Sequence, residues 1–368
     1  MSKKLKIGFV LDDTLDTPDG VQQYVLTLGQ WLVKQKHEVH YLVGQTARRD
    51  IDNIHPLSRN VHVKFNQNRL SVPLPASKKL IATKLKELDL DILHVQMPYS
   101  PLLAGRVIAE APSKTKIIGT FHIVPASWLH SLGALSLKIL NRRTIGRFDK
   151  IVAVSKAAQI FAKLAFNINS IVVPNAVDVK KMSHRPIKNK QPVIIFLGRL
   201  VERKGCGYLL KAIKLLQQNY QGNYKVIIAG KGPLGKKLKH YAGVHHLKNI
   251  EFLGYISEQS KSELLAGADI AVFPSTGGES FGIVLIEAMA AGSRVILGGD
   301  NIGYQTVLSS HPDLLIDPKD SLGFANRIQY FLEHQEARKA AQAWAKNTVK
   351  QYDINTVGKK ILKIYKQR

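Results

Sequence analysis

Short apolar runs alternate along the chain with longer stretches whose apolar residues recur at a helical period. KIGFVL is followed by an amphipathic stretch from about Val21 to Lys36, then by EVHYLVG, DILHVQ, KIIGTFH, KIVAVS and SIVVPN. Near-continuous apolar runs of this length predict strands buried on both faces, and the longer stretches predict the helices that cross over between them. Around Val179 to Gln191 the text turns polar and basic, VKKMSHRPIKNKQ, which is linker composition. A second series then begins: PVIIFLG, a helix near Tyr208 to Asn219, YKVIIAGKG, NIEFLGY, DIAVFPS, an apolar helix from about Ile283, and SRVILGG. Two doubly wound α/β domains are the expected outcome, with the residues from about Ser321 onward helical in period.

Length agrees with that division, since 368 residues exceed a single ordinary core. The single cysteine, Cys206, permits no intramolecular disulfide and no cysteine-based metal cluster, so a reducing, cytoplasmic setting is expected. MSKKLKIGFVLDDTLD reads as a first strand and not as a signal peptide, and no apolar segment is long enough to span a bilayer. The formal charge of +26 is the compositional fact to be assigned to a partner or set down to generic solubility or host adaptation. Anionic lipid, nucleic acid and a phosphorylated substrate are all open to it. The cations fall in clusters: Lys78, Lys79, Lys84 and Lys86; Arg142, Arg143 and Arg147; Lys236, Lys237 and Lys239; Lys359, Lys360, Lys363, Lys366 and Arg368. No RNA-binding aromatic signature or zinc-finger spacing accompanies them, which favours a membrane surface over a specific nucleic acid.

In open α/β sheets ligands bind beyond the carboxyl ends of the strands, and the turns there hold most of the unusual residues. Gly20 sits at the start of the first helix, where free amides and the positive end of the dipole suit a phosphate; the plainer reading is a simple turn. His122 and His94 end two strands, where each is either a ligand contact or a packed side chain. FLGRLVERKG brings Arg199 and Lys204 to the start of a helix, a pair suited to a diphosphate unless it is a solvated loop. AGKGP repeats the strand-then-glycine arrangement. In GGESFGIVLIEAMAAG, Glu279 stands in a loop and Glu287 in an apolar helix, where an unpaired carboxylate is costly. Glu287 therefore has a structural partner or faces a ligand. Together with the amides of Phe281, Gly282 and Ile283, the two carboxylates suit a ligand with hydroxyls at both ends and phosphates between, the layout of a nucleotide sugar.

These segments resemble the retaining glycosyltransferases of family 4. The family's carboxylate motif appears as ESFGIVLIE, and GVQQYVLTLGQWLVKQKHEV, GTFH, IVAVS, VPNAVDV, FLGRLVERKG and AGKGP extend the likeness over residues 5 to about 350. Within the family, GVQQYVL, GESFGIVLIEAMAAG and DILHVQMPYSPLL look most like bacterial phosphatidylinositol mannosyltransferases. The resemblance implies an α/β GT-B fold: two Rossmann-like, doubly wound domains flanking a cleft. Residues 1–178 would be an acceptor-binding domain, 179–350 a nucleotide-sugar-binding domain, and 351–368 a C-terminal helix packing back toward the first. It implies a retaining transferase that uses GDP-mannose as co-substrate, holds no cofactor or metal, and works peripherally at the inner face of the plasma membrane on a lipid acceptor. Carried onto this chain, Arg199 and Lys204 hold the diphosphate, Glu287 binds the ribose hydroxyls, and Glu279 binds the donor sugar beside the amides of Phe281, Gly282 and Ile283. His122 contacts the sugar near the reacting carbon, and Gly20 approaches the phosphate. Phe65, Asn66 and Arg69 fall on an acceptor-pocket loop. Relatives often have two glycines where this chain has Asp19 and Gly20; Asp19 would cap the helix or place a charge near the diphosphate. A donor with another base or sugar and a soluble acceptor are the alternatives, and a nucleic-acid-binding protein with a vestigial site is the rival from another class.

Overall fold

The structure, a computed structural model, describes residues 3–16, 19–65, 68–98, 100–122, 142–184, 187 and 189–367. It divides into two units, residues 1–176 with 354–368, and residues 177–353.

The first unit is built on seven parallel strands: β1 (Lys6–Leu11), β2 (Glu38–Val43), β3 (Ile54–Pro56), β6 (Ile92–Val95), β7 (Lys116–Phe121), β8 (Lys150–Ala153) and β9 (Ile171–Val172). A hairpin of β4 (Asn60–Phe65) and β5 (Asn68–Pro73) stands apart from that sheet. The order is β3-β2-β1-β6-β7-β8-β9, so the direction of winding reverses between β1 and β6. Alternation along the strands fills two cores. Ile7, Phe9, Val39, Tyr41 and Ile118 face the helix Gly20–Lys34, while Val10, Leu42, Leu93, Val95 and Ile117 face the helices Lys78–Leu88 and Leu103–Glu110.

The C-terminal helix Ile354–Lys366 belongs to the first of these cores. Ile354, Val357, Ile361, Ile364 and Tyr365 are buried in it, each contributing roughly 2 kcal/mol of gross burial energy before entropy is counted. Polar contacts fix its register. Trp31 Nε1 donates to Asn355 Oδ1 at 3.0 Å, the Tyr365 hydroxyl lies 2.6 Å from His94 Nδ1, and Lys116 Nζ donates to the carbonyl of Ile364 at 2.9 Å near the helix end. Gly358 is required at its position, because a Cβ there would lie 2.6 Å from the Trp31 ring.

The second unit has a six-stranded parallel sheet of β10 (Val193–Leu197), β11 (Lys225–Ala229), β12 (Ile250–Gly254), β13 (Ile270–Phe273), β14 (Val295–Gly299) and β15 (Leu315–Ile316). Its order is β12-β11-β10-β13-β14-β15, which puts the reversal of winding between β10 and β13. The polar stretch read as a linker lies wholly past the division at 176/177. It begins with a short helix, Val179–Met182, that packs on the helix Ile283–Ala291 within the second unit.

Candidate active site

The loops after β10 and β13 leave neighbouring strands on either side of the reversal, so topology alone brings them together. The β10 loop ends in a single 3₁₀ turn, Glu202–Lys204, closed by Gly205 at φ 78°. Glycine is needed there twice over: the backbone is left-handed, and a Cβ would lie 1.8 Å from the Pro274 carbonyl oxygen. That close approach delivers two adjacent cations to the β13 loop. Arg203 Nη1 and Lys204 Nζ each lie 2.8 Å from Glu279 Oε1, and Ser275 Oγ donates to the same oxygen at 2.8 Å. Burial alone would raise the Glu279 pKa, but Lys204 and Arg203 outweigh it, and the carboxyl is held below its ordinary range. Glu279 is therefore an anion at neutral pH. The sequence pointed to Lys204 and Glu279 but missed Arg203, which stands beside Lys204 in the same turn.

Glu287 is the fifth residue of the helix Ile283–Ala291, whose N-cap is Gly282 at φ 101°. The helix thus begins at Ile283, where the sequence places it. Glu287 has the structural partner that its apolar surroundings demand: Lys261 Nζ lies 2.7 Å from its Oε1, both side chains being 10% exposed. Lys261, on the helix Glu258–Ala266, also pairs with Glu258 Oε2 at 2.6 Å. Burial would lower the Lys261 pKa, yet Glu287 and Glu258 raise it above the ordinary lysine value, so the ammonium stays charged. Sequence reasoning missed Lys261 because a lysine in EQSKSELLA reads as solvent-exposed. Phe281 is buried with its ring edge-on to Tyr352 at 5.5 Å, so its side chain is core and only its amide is available to a ligand. The amides of Phe281, Gly282 and Ile283 donate to no acceptor among the described residues. Arg199, just past β10, is partly exposed, and its guanidinium pairs with no carboxylate among them.

In the first unit, His122 follows β7 and is buried. Its Nε2 lies 3.0 Å from Gln96 Oε1, and its ring stands edge-on to Tyr24 at 5.2 Å. Burial lowers its pKa to about 3, so the ring is neutral; with Nε2 donating to Gln96, Nδ1 is left as an acceptor. His94 is likewise lowered to about 3, and its two nitrogens are taken by Tyr365 and Thr120, which makes it a packed core side chain. Gly20 is the exposed first residue of its helix. Asp19 is the N-cap residue but makes no side-chain capping bond, which removes the first of the two roles open to it. Phe65 and Arg69 fall on the strands of the hairpin, Phe65 opposite Asn68 and Arg69 opposite Lys64; Asn66 lies outside the described residues.

The basic clusters divide on inspection. Lys78, Lys79 and Lys86 are exposed on the helix Lys78–Leu88, beside exposed Leu80, whereas Lys84 is paired with Glu87 at 2.6 Å. Arg147 is structural, because it donates to the carbonyls of Ile108, Ala109 and Ala111 and so closes the carboxyl end of the helix Leu103–Glu110. Among the described residues no group of three His, Cys, Asp or Glu side chains is arranged to hold a metal ion, and no helix is long and apolar enough to cross a membrane.

Two family models match the chain in succession: Glycosyltransferase Family 4 over residues 18–181 and Glycosyl transferases group 1 over residues 179–351. A phosphatidyl-myo-inositol mannosyltransferase of Mycolicibacterium smegmatis is 30% identical over 371 aligned positions, covering 98% of this chain and 93% of that protein. Among solved structures, a glycosyltransferase from Rickettsia africae superposes with a TM-score of 0.73 at 19% identity, covering 99% of this chain and 98% of the other. The Anabaena protein HepE, crystallised with UDP and glucose, does so with a TM-score of 0.71 at 19% identity, covering 99% and 100%. Full-length likeness in sequence, two parallel-sheet α/β domains, and the first carboxylate of ESFGIVLIE, Glu279, set against the cations of the β10 loop agree with one another: the chain belongs to glycosyltransferase family 4 and has the GT-B fold.

Proposed function

We propose that this glycosyltransferase moves mannose from GDP-mannose to a hydroxyl of a phosphatidylinositol-type lipid, with retention of anomeric configuration, while held peripherally on the inner face of the plasma membrane. The observation that carries the reading is the 30% identity over nearly the whole of both chains to a phosphatidyl-myo-inositol mannosyltransferase. The binding of UDP and glucose by HepE supports a nucleotide sugar as donor. Arg199 and Lys204 would hold the diphosphate, with the amides of Phe281, Gly282 and Ile283, which donate to no described residue, beside it. Glu287 would accept hydrogen bonds from the ribose, Glu279 from the sugar, and His122 Nδ1 is an acceptor suited to a sugar hydroxyl near the reacting carbon.

In the step itself the bond from the anomeric carbon to the leaving phosphate oxygen breaks, the acceptor oxygen bonds to the same face of that carbon, and the acceptor's proton passes to the leaving phosphate. The charge that develops on the diphosphate is what Arg199 and Lys204 stabilise, and donors aimed at such charge are worth roughly 3 to 4 kcal/mol each. No metal is needed in this scheme. Exposed Lys78, Lys79 and Lys86 around Leu80 suit an anionic bilayer, at about 1 kcal/mol for each cation near the surface.

The test is transfer from GDP-mannose, UDP-glucose and UDP-N-acetylglucosamine, compared side by side, to vesicles with and without phosphatidylinositol. Mannosylated lipid from GDP-mannose alone is the expected product. Transfer only to soluble sugars, or preference for a UDP-sugar, would overturn the acceptor or the donor respectively.

A further inference from the structure

Every hydrogen bond that Glu279 receives from a side chain among the described residues falls on one of its two oxygens. Oε1 takes Arg203 Nη1, Lys204 Nζ and Ser275 Oγ, each at 2.8 Å, whereas Oε2 accepts from no described residue. A carboxylate oxygen offers about two lone-pair positions, so three donors saturate Oε1 and leave Oε2 as the acceptor still open to a ligand.

The two cations on Oε1 are held differently. Arg203 grips the β13 loop at both ends of the residue: its carbonyl accepts from Thr276 N at 2.9 Å and from Thr276 Oγ1 at 3.4 Å, while its guanidinium reaches Glu279. Lys204 touches the loop through its ammonium alone, a rotatable point charge on a flexible stem. A diphosphate that attracts Lys204 would draw it from Glu279. A carboxylate so largely withdrawn from water, its side chain 13% exposed, would then be left unpaired unless another cation stayed behind.

We propose that Arg203 is the positioning residue for Glu279, the partner that stays when Lys204 turns to the donor's diphosphate, so that Oε2 remains aimed at the donor sugar. The proposal rests on the reading of Lys204 and Glu279 as donor-binding groups. Arg203 itself touches no reacting atom. Its loss acts on turnover through Glu279 and leaves nucleoside diphosphate binding to Lys204 and Arg199.

The full-length chain and its Arg203→Gln, Arg203→Lys and Lys204→Gln variants are titrated calorimetrically with GDP and assayed for GDP-mannose turnover. Arg203→Gln is expected to bind GDP within about twofold of the parent while kcat falls about 10- to 100-fold, and Lys204→Gln to weaken GDP at least about tenfold. Arg203→Lys, which keeps the charge, is expected to recover much of the lost kcat. It also carries the test should the glutamine variant fail to fold, by retaining GDP binding with a kcat below the parent's. Equal weakening of GDP by Arg203→Gln and Lys204→Gln would make Arg203 a phosphate ligand and overturn the proposal, as would an unchanged kcat in Arg203→Gln. A parent protein that binds neither GDP nor UDP would instead overturn the donor-site reading on which the proposal rests.

Discussion

Replacing Lys261 by Met isolates the carboxylate that the apolar helix Ile283–Ala291 surrounds. Two ion pairs are lost. The one to Glu258 involves a side chain that is 47% exposed and is worth at most about 1 kcal/mol. The one to Glu287 is 10% exposed on both sides, and stripping the cation from such a pair costs roughly 3 to 5 kcal/mol if the anion must stay charged. Glu287 has an escape, which is to take up a proton. At pH 7 that costs about 1.4 kcal/mol for each pH unit above the ordinary carboxyl pKa, about 3.4 kcal/mol in all, which caps the Glu287 part of the loss. The sign with pH follows. Burial already raises the Glu287 pKa above its ordinary value in the parent despite Lys261, and losing the cation raises it further, so the deficit grows as pH rises above the parent's folded pKa and fades below it. Hydrogen exchange of the 283–291 amides, read at pH 5 and pH 7, measures it within the second unit. The double variant Lys261→Met with Glu287→Gln is expected to recover at least about 1.5 kcal/mol, since it removes the stranded charge. A deficit below about 1 kcal/mol, no change with pH, or no recovery in the double variant would refute the reasoning.

Glu287→Gln alone is expected to weaken nucleotide-sugar binding by about 1.5 to 3 kcal/mol, more than it slows bound donor, and unchanged affinity would remove Glu287 from the donor site. The first unit should lose stability as pH falls from about 6.5 toward 3, because His94 and His122, both lowered to about 3 by burial, stay neutral when folded but charge when unfolded. Each adds a slope of up to about 1.4 kcal/mol per pH unit, and urea midpoints followed by exchange in β6 and β7 that do not move between pH 7.5 and 5.5 would contradict this. Removing Lys78, Lys79 and Lys86 together is expected to weaken cosedimentation with anionic vesicles strongly, with Lys84 adding less because Glu87 already holds it; equal binding to neutral and anionic vesicles would sink the membrane reading. A chelator is expected to leave turnover intact, and loss restored by a divalent ion would expose a missed metal.

The central strands were legible because their apolar runs are buried on both faces, so that KIGFVL and PVIIFLG carry the strand signal without help from alternation. That Lys204 and Glu279 are residues to watch was legible too, as a cation after one strand and a carboxylate after another, but their direct pairing was not. What the sequence hid were contacts decided in three dimensions. Which of two adjacent cations turns inward depends on a 3₁₀ turn pressed against Pro274, and there both do. Lys261 is 26 residues from Glu287, and no local pattern marks it as buried; the only hint was the energetic demand of Glu287 itself. Arg147 read as one of a basic cluster, yet it is spent on the carbonyls at a helix end that has no glycine to close it. Asp19 shows the converse, a residue type that favours N-caps whose side chain makes no capping bond.

The helix Ile354–Lys366 completes the core of the first unit, although every residue of the second unit precedes it on the chain. A ribosome making this protein therefore releases the whole second unit while the first still lacks its last helix, with Trp31 and Leu28 facing an empty groove. Domains of nascent chains ordinarily finish in order from the N-terminus. Here the order is inverted: the second unit can mature first, and the first remains an unfinished, chaperone-exposed sheet until the final turns emerge. A premature stop directly after residue 353 would spare the loops after β10 and β13 and their ion pairs, and would still leave a protein whose first unit never closes.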